Sequence, residues 1–343
     1  MLEHASFTYY ASRFTFQKNL CFHWGTDSCL VFRRMSKTAL LFAGQGAQVV
    51  GMGRDLAGKF PPAKIWFDRA NAALGYDLAA ICFNGPEAEL TKTENAQPGI
   101  FLVSWVAFQL LKDQAPALKF DATAGLSLGE FTALAAAGAM NFEDALRLVR
   151  QRGKFMQEAC DATRGGMAAV IGLEETPTRE VCAEAGVVLA NLNCPGQLVI
   201  SGETAKIARA VELAKAKGAK RAIALPVAGA YHSPLMAGAQ PKLQAELAKI
   251  TISAPSVSVI SNVTALPQGT PTGISSRLVE QVTSPVLWEK SMRMLLAQGF
   301  TRFIELGPGT ALSGFMKRID KNAQMLNVAD AASLEATVKA LAT

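Results

Sequence analysis

Gly125-Leu126-Ser127-Leu128-Gly129 sets a serine between two glycines where a β-prone run, residues 120–124, gives way to an alanine-rich helical run, residues 130–140. A strand that turns sharply into a helix at a serine is a nucleophile elbow. The glycines admit the tight backbone, and the new helix offers free N–H groups and a positive dipole end to a developing oxyanion. Such a serine needs a base, and the chain has 3 histidines. His4 and His23 lie in an N-terminal stretch of different character, which leaves His232. It precedes Ser233-Pro234, residue types that cap and open a helix, and beside a helix N-terminus the ring stays neutral and able to accept a proton. No aspartate is obviously placed to orient it, a task open to a backbone carbonyl. GxSxG is also a short pattern, and a serine in an ordinary turn beside a packing histidine reads the same way.

Arg152 is the next telling residue. On the helical run 142–159 the apolar stripe is Ala145, Leu148, Val149, Phe155, Met156 and Ala159, and i, i+4 spacing from Leu148 puts Arg152 on the same side. A guanidinium there requires an anion. It forms an ion pair within the chain, snorkels to the helix edge, or faces a cleft beside Ser127 and holds a substrate carboxylate with both prongs of its fork.

The elements that must position these groups alternate between strands and helices from Met35 onward, an α/β layer order. Strand 38–42 runs into the glycine-rich loop Gly44-Gln45-Gly46-Ala47-Gln48, which matches no nucleotide-binding spacing and serves better as a cleft wall. An apolar helix at 100–111 follows Gln97-Pro98. Residues 163–229 carry a separate β-α-β-β-α-β order, strands 166–172, 187–191, 197–201 and 221–227 with helices 176–185 and 205–217, a ferredoxin-like unit. The expected architecture is a hydrolase-like α/β domain with a parallel sheet and the elbow, residues 35–162 and 230–343, with the ferredoxin-like domain inserted and a cleft between them. Strand 257–261, helical segments 277–297 broken at Pro285, strand 302–305 and helix 310–319 return to the main domain.

Composition narrows the class. With 343 residues, 50% hydrophobic and 18% charged, the chain suits one large core and a smaller unit. Its 6 cysteines show neither C-x-x-C pairs nor metal-ligand spacing, which fits a reducing compartment and no metal site. Net charge is +6, of which residues 1–34 supply +2 (Arg13, Lys18, Arg33 and Arg34 against Glu3 and Asp27), and no long basic run exists. That favours an acidic substrate or partner over nucleic acid. No apolar stretch approaches the ~20 residues that span a bilayer. Residues 1–34 hold eight aromatics without useful periodicity and lack a secretory n-region. They read as a leader, disordered or non-native, before a natural start at Met35-Ser36-Lys37, with an organelle transit peptide as the rival.

From about Lys37 to Ala342 the chain resembles the malonyl-CoA:acyl carrier protein transacylases and the acyltransferase domains of polyketide and fatty acid synthases. The resemblance is carried by Phe42-Ala43-Gly44-Gln45-Gly46-Ala47-Gln48, Gln97-Pro98, Gly125-Leu126-Ser127-Leu128-Gly129-Glu130, Arg152-Gly153, Asn193-Cys194-Pro195-Gly196-Gln197, Tyr231-His232-Ser233-Pro234-Leu235-Met236 and Glu305-Leu306-Gly307-Pro308-Gly309. It implies Ser127 as nucleophile, His232 as its base and acid, and Arg152 on the malonyl carboxylate. It further implies the Gln45 and Leu128 N–H groups as oxyanion hole, the region of Gln281 orienting His232 through a carbonyl, and Lys220, Lys317 and Arg318 as the docking patch for an acidic acyl carrier protein.

The implied activity is ping-pong transfer from malonyl-CoA to acyl carrier protein in fatty acid synthesis, with a CoA thioester as substrate and no metal or redox cofactor. Polyketide supply and a thioesterase-like hydrolase are the alternatives. A monomer is expected, acting in the cytoplasm, or in the mitochondrial matrix if the leader is a transit peptide. Two residues depart from the usual pattern. Ala43 replaces a proline, at some cost in rigidity, and Leu126 replaces a histidine, which alters hydration and the leak to hydrolysis. Leu128 and Ala230-Tyr231-His232 look malonyl-type.

Overall fold

The computed structural model describes residues 37–342, so the leader expected at 1–34 and the start at Met35 lie outside the described residues. Residues Ser36–Thr343 form one compact unit that contains two sheets. The first is built from β1 (Lys37–Phe42), β2 (Ala122–Gly125), β7 (Ser258–Ile260), β8 (Phe300–Leu306) and β9 (Gln324–Val328), in the order β7-β2-β1-β8-β9 with every pair parallel. Its faces follow from period-2 alternation: in β1, Leu40 and Phe42 enter one core while Ala39 and Leu41 enter the other. The second sheet, β3 (Gly165–Ile171), β4 (Val188–Cys194), β5 (Gln197–Glu203) and β6 (Arg221–Ala224), is antiparallel in the order β4-β5-β3-β6. This is the ferredoxin-like arrangement, with helices Glu175–Ala185 and Thr204–Ala216 on one face and Met167 and Val199 turned from the other into the main core.

β1 and β2 are adjacent and parallel, so the loops leaving their C-terminal ends lie side by side, where open α/β sheets bind ligands. One loop carries Gln45 and the other Ser127. Two glycines make that approach possible. A Cβ on Gly125 would fall 1.9 Å from the Gly129 carbonyl carbon, and one on Gly129 would fall 2.2 Å from the Phe42 carbonyl oxygen. Both obstacles are backbone and cannot rotate away. Gly125→Ala should therefore lower Tm sharply or give insoluble protein, and an unchanged melting curve would contradict this packing.

Some elements differ from sequence expectation. The helix expected at 100–111 runs Thr93–Gln114 with Pro98 inside it. Proline costs an interior helix ~3 kcal/mol, but residues from Asn95 to Phe108 are all buried, and their packing outweighs the lost N–H bond. β9 is an edge strand with only its last residue fully buried, so it lacks the apolar run that marks β1. The helical stretch expected at 277–297 is two helices, Pro271–Glu280 and Trp288–Ala297, with Pro285 between them.

Candidate active site

Ser127 has φ 52°, a left-handed backbone rare for a residue with a side chain, which points its hydroxyl out of the turn. His232, at φ 57° and 4% exposed, meets it across the cleft floor with Oγ 2.8 Å from Nε2. The other ring nitrogen, Nδ1, lies 2.9 Å from the Gln281 carbonyl oxygen and 3.2 Å from that of Ser284. Two carbonyl acceptors fix the proton on Nδ1 and leave Nε2 free to accept from the serine. The ring is held in place because Ser233 caps the short 3-10 helix Pro234–Ala239: its hydroxyl accepts from Leu235 N–H and donates to the Ala230 carbonyl.

Arg152 comes off the helix Phe142–Asp161 and is 1% exposed. Its Nη2 donates to Ser127 Oγ at 3.0 Å and to Gln281 Oε1 at 3.0 Å, and its Nη1 donates to Gln97 Oε1 at 2.6 Å. The guanidinium also lies 5.3 Å from the centre of the Phe131 ring. Every one of these partners is neutral. Burial rules out snorkelling, and no carboxylate among the described residues forms an ion pair with it. Gln97 passes the contact on to Gln45 Oε1, and Gln45 donates to the Tyr231 hydroxyl, which meets Thr93 Oγ1 at 2.8 Å. Above this floor opens a cleft of about 530 Å³, bounded by Gln45, Leu126, Ser127 and His232, by Asn191 and Asn193 of the second sheet and Leu225 just past it, and by Leu312 and Phe315.

A sequence model described as acyl transferase domain matches residues 39–337. The chain belongs to that family. Malonyl CoA-acyl carrier protein transacylase from Bacillus subtilis is 45% identical over 312 residues, 90% of this chain and 98% of that protein. The solved malonyl CoA-acyl carrier protein transacylase of Coxiella burnetii superposes with TM-score 0.87 at 37% identity, covering 90% of this chain and 98% of that one. A malonyl-transacylase solved in complex with a type II PKS acyl-carrier protein gives TM-score 0.86 at 38% identity, covering 89% of this chain and 100% of its own.

Within this acyltransferase site, burial governs the charges. Desolvation, aided by the Arg152 cation, pushes the His232 pKa down to about 4, against the pull of its two carbonyl partners. Arg152 falls to about 10 through burial and stays cationic at neutral pH. Glu130, on the elbow helix Gly129–Ala136, is pushed up to about 7 by burial, although Asn262 N–H and the Gln281 and Gln268 amides all donate to it. Neither the Gln45 nor the Leu128 backbone N–H bonds a protein acceptor among the described residues. Sequence reasoning did not single out Asn262, Gln97, Tyr231 or Ser284 as site residues. Gln97 and Tyr231 sit inside recognisable motifs, while Asn262 and Ser284 carry no local signal.

Two of the three basic residues, Lys220 and Arg318, gather around one turn. Lys220 is exposed and lays its stem over Gly172, where a Cβ would fall 2.5 Å from its Cγ. Gly172 N–H donates to the Gly196 carbonyl at 2.8 Å, and Arg318 donates to the neighbouring Pro195 carbonyl at 2.6 Å and to Gln197 Oε1 at 3.1 Å. Arg318 thus ties helix Ala311–Ile319 to the β4-β5 turn, while Lys317 beside it is exposed.

Proposed function

We propose that the chain transfers a malonyl group from malonyl-CoA to the phosphopantetheine thiol of acyl carrier protein through a malonyl ester on Ser127, supplying fatty acid synthesis. The observation that carries this reading is Arg152, a buried cation with neutral partners only, 3.0 Å from the nucleophile's oxygen. Glu130 acts on this guanidinium only at a distance, across Gln281, so no anion touches it; a buried cation without a direct ion pair is costly, and an acyl group ending in a carboxylate supplies one on arrival.

His232 Nε2 takes the Ser127 proton as Oγ attacks the thioester carbon. The oxyanion rests on the Gln45 and Leu128 N–H groups. The C–S bond then breaks, and the sulfur of CoA leaves with the proton held by His232. The carrier thiol enters, gives its proton to His232 and attacks the malonyl ester. Collapse returns the proton to Ser127 Oγ and releases malonyl carrier. His232 acts through a neutral ring at every start, which its depressed pKa secures, and the Gln281 carbonyl stabilises the transient imidazolium through Nδ1. The steps call on no metal or redox cofactor. The same steps would load a polyketide carrier, as in the solved carrier complex. The reading includes a monomer working in the cytoplasm, and no helix among the described residues is long and apolar enough to cross a membrane.

Intact-protein mass spectrometry after mixing with malonyl-CoA tests this directly. A malonyl adduct that disappears when holo carrier protein is added supports transfer. Free malonate released at one rate with or without the carrier would make the protein a hydrolase.

The basic turn is the proposed docking patch for the acidic carrier. Lys220→Glu and Lys317→Glu should weaken the carrier half-reaction in a salt-dependent way and leave loading from malonyl-CoA unchanged. Arg318→Glu should also lower Tm, because it breaks the bonds to Pro195 and Gln197. If both half-reactions fall equally in the lysine variants, the patch lies elsewhere.

A further inference from the structure

We propose that Asn262 is a positioning residue for the nucleophile, its side-chain amide clamping the elbow so that Ser127 keeps its left-handed backbone and its N–H stays out of the oxyanion hole. The inference rests on the reading of Ser127 as nucleophile. Asn262 lies two residues past β7, beside β2 in the sheet, and is 2% exposed. Its Oδ1 accepts from the Ser127 N–H at 2.7 Å, and its Nδ2 donates to the Gly125 carbonyl at 2.7 Å. One amide therefore grips the residue at φ 52° and the residue two before it, as a neighbouring strand would, at the point where the strand has stopped.

The clamp is itself anchored. Asn262 N–H donates to Glu130 Oε2 at 3.2 Å, and its carbonyl accepts from Leu287 N–H at 2.9 Å. Gln281 Nε2 reaches Glu130 Oε2 at 2.6 Å and the Ser127 carbonyl at 3.0 Å, so the same buried carboxyl holds both groups that hold the elbow. Two consequences follow. The Ser127 N–H is spent on Asn262, which leaves the next N–H, that of Leu128, for a substrate oxygen. And because φ in this region is strained for a residue with a Cβ, loss of the clamp lets the peptide relax and carries Oγ away from His232 and Arg152. Displacements of about 1 Å from a reacting geometry cost on the order of 10²-fold in rate.

The test compares wild type, Asn262→Ala and Asn262→Asp. It measures the labelling rate of Ser127 by a fluorophosphonate, which needs the activated nucleophile but no acyl-CoA, together with kcat and KM for malonyl loading, and Tm. Asn262→Ala should lower the labelling rate and kcat roughly 10- to 100-fold with a much smaller change in KM for malonyl-CoA, since its link toward Arg152 is the long 3.4 Å contact from Gln281 Nε2. Asn262→Asp should be slow when ionised and recover as pH falls, because a protonated carboxyl again accepts from Ser127 N–H and donates to the Gly125 carbonyl.

The charged and titratable groups around that position are Glu130 on the elbow helix, Arg152, His232, and Arg277 through Gln268. Their own titration is common to wild type, so the acid recovery must be specific to the aspartate variant. A lowered Tm with wild-type labelling rate and kcat in Asn262→Ala would make the residue structural only and overturn the proposal. If the alanine variant does not fold, a wild-type pH profile in Asn262→Asp overturns it equally. A wild type labelled by fluorophosphonate but not by malonyl-CoA would instead sink the substrate reading and leave the Asn262 comparison readable.

Discussion

Ser127→Ala yields no malonyl adduct by intact mass, and His232→Ala slows both half-reactions by roughly 10²- to 10⁴-fold, the usual worth of a positioned general acid–base. The serine has no substitute, since no other hydroxyl occupies the elbow. In the proposed mechanism the histidine serves twice, so its loss cannot spare one half-reaction. Its pH behaviour follows from burial. The ring ordinarily titrates near 6.5, but desolvation and then the Arg152 cation hold it at about 4, so it remains a free base through mildly acidic conditions. The acid limb of malonyl loading should therefore fall near pH 4, and a limb near 6.5 would show the ring to be wet. Stability runs the same way. Between about 6.5 and 4 the unfolded histidine binds a proton that the native one refuses, so this residue's contribution to folding declines as pH falls through that window. Labelling that persists on Ser127→Ala would end the mechanism.

The chemistry was legible where it is written locally. The elbow is five consecutive residues, and the three-residue step from strand to helix dictates both glycines. Arg152 was legible because a charge sits on an otherwise apolar stripe. His232 stood out only by scarcity, and the ferredoxin-like order of strands and helices needed no tertiary information. Outside such patterns the sequence is silent. The partners of His232 Nδ1 are backbone carbonyls, which any residue could supply, and the Gln281 and Ser284 oxygens are chosen by where the chain passes.

Asn262 lies 135 positions from the serine whose N–H it binds, two residues past a three-residue strand, and the pairing of β7 with β2 brings them together. The resemblance assigns Arg318 to a docking patch, and the fold has already engaged it with Pro195 and Gln197. Glu130 could have been suspected. A carboxylate on a helix whose other residues are nearly all small or apolar has nowhere to go but inward, toward groups that can donate to it.

Replacing Arg152 by alanine should separate acyl groups by their charge. In the proposed reading malonyl transfer loses the buried fork that receives its carboxylate, and leaving one member of a buried charge pair alone costs about 3–5 kcal/mol, roughly 10²- to 10⁴-fold in kcat/KM. Acetyl-CoA brings no carboxylate. For that substrate the variant loses the bonds to Ser127 Oγ, Gln97 and Gln281 but no charge pair with the acyl group, and it gains a ring freed of a neighbouring cation, so its rate should fall much less or rise.

The acetyl arm thus measures what Arg152 does for the nucleophile, and the difference between the arms measures what it does for the substrate. Arg152→Lys restores charge without the fork that reaches Gln97 and Gln281 together, and should recover only part of the malonyl rate. Removing the cation should also move the acid limb of acetyl transfer upward, because His232 no longer faces a positive charge. Equal losses for malonyl and acetyl groups, with the acid limb unmoved, would reduce Arg152 to a structural link between Gln97 and Gln281.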